Sequence, residues 1–171
     1  MDEERPHAEE VAVAAQIRQI PLPPDARALG TLARIDYEEA FLVDADVDGT
    51  PEQWARAVLE DAPPHVRRGL RRGWRALGLR LGSPRSGRRV LGWEVRLSTP
   101  DFVLLAAGSR IGMPGELLFK RERHGLLFAT FVQQRNPVAR AVWARIAARH
   151  RQVVRSLLTQ AARRDGLRPR S

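Results

Sequence analysis

Leu126 to Arg164 reads LLFATFVQQRNPVARAVWARIAARHRQVVRSLLTQAARR, and a change of period inside this stretch decides the fold. Up to Gln134 the residues form an apolar run of strand length. Asn136 is then a good N-cap, and Pro137 suits the first helical position because the missing N–H is not needed there. A helical apolar pattern follows to about Arg164. At 1.5 Å per residue such a helix is about 40 Å long, enough to cross a whole domain. At about 100° per residue from Val142, the residues Val138, Ile146, His150, Val153 and Leu157 form one stripe, which Trp143 and Val154 widen.

Upstream lies a ladder of strand-like runs. In Val90 to Ser98 the residues Leu91, Trp93, Val95 and Leu97 alternate with polar ones or glycine, the pattern of a half-buried strand. Phe102 to Ser109 is apolar on both faces and reads as central. Glu116 to Arg121 is the third run and Leu126 to Gln134 the fourth. Turns at Pro100-Asp101, Gly112 to Gly115 and His124-Gly125 leave too little chain for helical crossovers, so the pairing is antiparallel.

Before the ladder come one strand and two helices. Tyr37, Glu39, Phe41 and Val43 share one face of an extended run. Thr50-Pro51 starts a helix to about Asp61, with Trp54 and Val58 inward. Pro63-Pro64 starts another, in which Val66, Leu70, Trp74 and Leu77 form a narrow apolar stripe. Arg67, Arg68, Arg71, Arg72 and Arg75 form a basic face on the same helix. Val11 to Ile20 reads as a short helix ended by Pro21. The fold class implied is α+β: a curved antiparallel sheet of about five to six strands packed on a long C-terminal helix. Residues 1–24 read as an acidic, partly flexible extension, 25–164 as one domain and 165–171 as a basic tail.

Charge is segregated. Residues 1–61 hold 15 Asp and Glu against 5 Arg, whereas residues 62–171 hold 24 Arg and Lys against 5 Asp and Glu. Attraction between the two parts accounts for some of this, and the surplus of +9 favours an anionic ligand, membrane surface or nucleic acid. Without cysteine there is neither a disulfide nor a thiolate metal site. No apolar stretch approaches the roughly 20 residues of a membrane span, and the N-terminus lacks the basic region of a signal peptide. The expected location is cytoplasmic.

Motifs with chemistry are few. His7, His65, His124 and His150 have no metal-ligand spacing, and no dinucleotide fingerprint or phosphate-binding loop is present. No metal or cofactor is expected. Gly82 to Arg89 has two glycines and three arginines, but its sequence order is that of a connecting loop. Trp54, Trp74, Trp93 and Trp143 sit on separate elements and suit a core or a cavity wall better than a base-stacking platform. His150 is the one polar group on the apolar stripe of the long helix. It reads first as a core histidine bonded to a backbone carbonyl or to a side chain such as Tyr37 or Glu39. Its second reading is a ligand contact or general acid/base. Glu39 and Glu94 are expected to face solvent.

Three stretches carry a family resemblance: Asp36-Tyr37-Glu38-Glu39-Ala40-Phe41, Pro51-Glu52-Gln53-Trp54-Ala55-Arg56-Ala57, and Arg135-Asn136-Pro137 through His150-Arg151. Over residues 34–162 the chain resembles a family of uncharacterised, mainly actinobacterial proteins. More distantly it is similar to the START-like, polyketide-cyclase-like helix-grip superfamily. The resemblance implies a helix-grip fold holding an apolar or amphipathic small molecule between sheet and helix. The expected walls are Tyr37, Phe41, Trp93, Val95, Phe131, Val142, Ile146, His150, Val153 and Leu157. The alternatives are a polyanion site on Arg67, Arg68, Arg71, Arg72 and Arg75, and a cyclase- or dehydratase-like enzyme using His150.

Overall fold

The computed structural model describes residues 15–45, 48–83 and 88–164. The acidic stretch 1–14, the basic tail 165–171 and part of the Gly82 to Arg89 loop lie outside the described residues. The chain runs β1 (Gln16–Ile20), α1 (Pro24–Arg27), β2 (Tyr37–Asp44), α2 (Pro51–Leu59) and α3 (Pro64–Ala76). It continues with β3 (Leu79–Arg80), β4 (Arg89–Val90), β5 (Trp93–Ser98), β6 (Phe102–Ser109), β7 (Gly115–Glu122), β8 (Gly125–Val132) and α4 (Pro137–Arg164).

The strands form one open antiparallel sheet in the order β1-β2-β8-β7-β6-β5-β4, with β3 on the end of β6. The hairpin ladder gives β5 to β8 in sequence order, and β2 crosses over to pair β8 from Tyr37↔Val132 to Asp44↔Gly125. The helix starts expected at Thr50 and Asn136 are capped. Thr50 and Gln53 form a reciprocal capping box on α2, and the Asn136 side chain accepts from Ala139 N–H at 2.8 Å.

The sheet has 8 strands, more than the five or six expected. Gln16–Ile20, expected to be helical and part of a flexible extension, is instead an edge strand paired with β2 in register Ile17↔Val43. A helix this short gains little by itself, whereas pairing satisfies the open edge of β2. The Val90 to Ser98 run divides at a two-residue turn, where Leu91 takes φ 47 and Gly92 φ 97. A register shift follows between Val95 and Leu97, and it turns Leu97 to the other face opposite Leu104, 43% exposed.

Both faces of the sheet are covered. The inner face presents Phe41, Val43, Leu105, Leu117, Phe119 and Phe128 to α2 and to the C-terminal half of α4. The N-terminal half of α4 packs Ala139 and Trp143 against Met113 and Val132. The outer face presents Leu104, Leu118, Leu127, Ala129 and Phe131, covered by Ile20, Leu22, Ala26, Leu29, Leu32 and Ile35. This covering segment is tied by Glu116, whose side chain is fully buried and accepts from Thr31 N–H at 2.9 Å, from the Thr31 hydroxyl and from Arg96. Among the described residues no helix is long and apolar enough to cross a membrane.

Candidate functional site

α4 reaches the inner face with His150 near the middle of its buried side. Ala139, Trp143, Val154, Leu157, Leu158, Ala161 and Ala162 are its buried residues. At about 100° per residue these centre on Trp143 rather than Val142. The expected stripe was therefore rotated away from the true one, and Val138 is 63% exposed.

The His150 ring lies 5.1 Å from that of Trp143. Its Nδ1 is 2.8 Å from Glu39 Oε1, with side-chain exposures of 19% and 1%. The two atoms are within ion-pairing distance but not aligned as a hydrogen bond, and neither has a hydrogen-bond partner among the described residues. Glu39 Oε2 accepts from the Tyr37 hydroxyl at 2.7 Å, and Arg151 Nη1 donates to that hydroxyl at 3.2 Å. Burial and the bond to Glu39 push the Tyr37 phenol up to about 12. Glu39, expected to face solvent, is thus buried: in a period of two it shares the face of Phe41 and Val43. Glu94 does face solvent.

Beside this chain of polar groups lies an apolar cavity of about 70 Å³. The sheet contributes Trp93, Leu117, Phe128, Thr130 and Val132. α2 contributes Val58 and Leu59, α3 and its C-cap contribute Leu70, Trp74 and Leu77, and α4 contributes Trp143, His150, Val153 and Leu157. A more open cleft of about 530 Å³ runs between α3 and α4 past Gly69, Gly73, Ile146 and Arg149. Cavity and cleft share Leu70, Trp74, Leu77, His150 and Val153.

α3 lines both of them. It has no buried residue, and a Cβ built on Gly69 or Gly73 meets nothing within 4 Å. It ends at Gly78, whose φ of +75 favours glycine and whose N–H bonds to Arg75 O at 2.9 Å.

The polar groups around the cavity are under-used. Trp93, Thr130 and Trp143 are 3%, 3% and 6% exposed. Trp93 Nε1, Thr130 Oγ1 and Trp143 Nε1 have no hydrogen-bond partner among the described residues. A buried polar group without a partner costs about 1–3 kcal/mol, so each such atom asks for an explanation.

The expected wall residues divide into three groups. Trp93, His150, Val153 and Leu157 line the cavity, and Ile146 lines the cleft. Tyr37 and Val142 pack around Trp143, while Phe41 and Val95 are inner core away from the cavity. Phe131 is a correction: it alternates onto the outer face and is buried beneath the N-terminal segment. Thr130 was missed as a wall residue, whereas Trp143 lines the cavity as the core-or-wall reading of the tryptophans expects. A lone hydroxyl in the apolar run Leu126 to Val132 was the available signal for Thr130.

On α3, Arg67 Nη1 donates to Glu60 O at 3.0 Å, and Arg68, Arg72 and Arg75 are exposed. Arg71 Nε is buried without a hydrogen-bond partner. Among the described residues no three His, Asp or Glu side chains are placed to hold a metal ion. No model of a known protein family matches this chain, and neither does any curated protein or solved structure.

Proposed function

We propose that this protein is a binding domain for an apolar or amphipathic small molecule, held between the inner face of the sheet and the α3–α4 cleft. The observation that carries the reading is the continuity of an apolar, tryptophan-walled cavity with a wider cleft, with His150 at their junction. Binding pockets commonly combine apolar walls with a few convergent polar groups. The cavity alone is smaller than such pockets, so a ligand of ordinary size extends into the cleft.

Native mass spectrometry of protein purified from its host tests this directly, together with titration by a panel of apolar and amphipathic probes. A co-purifying small molecule, or saturable uptake of a probe that shifts the emission of the wall tryptophans, is the expected result. Protein that carries nothing and takes up no probe would remove the proposal.

A second reading, polyanion binding through α3, is favoured by one observation. Arg68, Arg71, Arg72 and Arg75 have no ion-pair partner among the described residues, which leaves a basic face without compensation. Affinity for nucleic acid or anionic lipid should then fall steeply with salt as counterions are released. Absence of binding at low ionic strength removes this reading. Catalysis is the third. The geometry supporting it is the approach of a buried carboxylate, Glu39, to within 2.8 Å of His150 Nδ1 beside the cavity.

A further inference from the structure

The wall of the cavity is rich in donors. The indoles of Trp93 and Trp143 donate and cannot accept, and the Thr130 hydroxyl donates or accepts. All three have a buried polar atom without a partner among the described residues, and all three line the same space. The groups at the cavity thus call for an acceptor. The carboxylate already facing His150 narrows its kind. Glu39 lies 2.8 Å from His150, and its side chain is 1% exposed. A ligand carboxylate would compete with Glu39 for the same imidazole, whereas a neutral acceptor oxygen held by the tryptophan and threonine donors does not. Size narrows it further. A cavity of about 70 Å³ takes a head of a few heavy atoms, and the cleft of about 530 Å³ takes the remainder.

We propose that the cavity binds the neutral, carbonyl-type oxygen end of a ligand whose apolar body lies in the α3–α4 cleft. Thr130 and the indole N–H groups of Trp93 and Trp143 are the donors available to that oxygen. The body lies along Leu70, Trp74, Ile146 and Val153. The proposal rests on the small-molecule reading above and specifies the ligand class for that same site.

Calorimetric titration of the full chain with three matched compounds tests it: acetylnaphthalene, ethylnaphthalene and naphthoate, substituted at the same ring position. The ketone should bind about three- to tenfold more tightly than the hydrocarbon of the same shape, the worth of a neutral hydrogen bond. Naphthoate should bind more weakly than the ketone. Thr130→Val, which keeps the shape of the side chain, should reduce the advantage of the ketone and leave ethylnaphthalene unchanged. Trp143→Phe is the second variant, for use if the first does not fold, and should act in the same direction. Equal affinity for ketone and hydrocarbon overturns the oxygen-end assignment and leaves the apolar cavity standing. Tightest binding by naphthoate overturns it in favour of an anion site at Arg149 of the cleft. Failure of all three compounds to bind overturns both the assignment and the small-molecule reading.

Discussion

His150, Glu39 and Tyr37 form a chain whose members cannot be changed independently. Replacing His150 with Leu leaves Glu39 Oε1 buried and facing an apolar side chain. Urea unfolding should show a loss of about 1–3 kcal/mol, and unchanged stability would mean that Glu39 finds another partner. Tyr37 makes a pH prediction with a definite sign. Its phenol moves from an ordinary 10.0 to about 12, because burial and Glu39 both oppose the phenolate. The folded state therefore holds this proton more tightly than the unfolded one. The Tyr37 contribution is complete below pH 10 and is lost as pH rises toward 12. Tyr37→Phe should flatten this alkaline decline, seen as a narrowing gap between the two proteins' unfolding midpoints as pH rises from neutral to strongly alkaline.

Among the elements, α3 and α4 are held very differently although both are amphipathic. α4 is anchored by Trp143, Val154, Leu157, Leu158 and Ala161, whereas α3 has no buried residue. Local opening follows such differences, so amides of Val66 to Ala76 should exchange hydrogen faster than those of Trp143 to Ala161. Equal protection would show that α3 is not a separable cover over the cavity. Gly69→Ala and Gly73→Ala have room for the added methyl groups. Each should raise stability by about 1 kcal/mol through helix propensity. Both positions line the cleft, so the double variant should also weaken probe binding relative to the parent.

At the scale of the whole molecule, the sheet is buried twice, once under the helices and once under the segment from Ile20 to Ile35. Glu116 fastens this outer cover through Thr31 and Arg96. Glu116→Ala leaves the Thr31 N–H without its acceptor and should cost about 1–3 kcal/mol. It should also make residues 21–35 more open to proteolysis and raise binding of a hydrophobic dye, as Leu118, Leu127 and Phe131 become accessible. A variant with the parent's proteolysis pattern would show that apolar packing alone holds the cover. Asp36, Glu38, Glu52 and Glu60 pair with Arg34, Arg27 and Arg56. Asp25 and Glu39 reach across to Lys120 and His150.

The sequence alone determined the features that depend on neighbours along the chain. Asn136-Pro137 and Thr50-Pro51 start helices because capping and the proline ring act within one turn. Hairpin spacing orders β5 to β8 because short connections permit only antiparallel partners. The basic face of α3 was legible from periodicity. Tertiary structure decided whatever depends on residues distant in the chain. Gln16–Ile20 became a strand because β2 offers an edge. The irregularity after Val95 moved Leu97 to the outer face, and the N-terminal cover took Phe131 out of the cavity wall. Period two offered two faces for Glu39, and the approach of His150 from a helix more than a hundred residues later accounts for a carboxylate being kept on the inner one. The space beside that pair is the volume left between several packed elements, and no local stretch of sequence encodes such a volume.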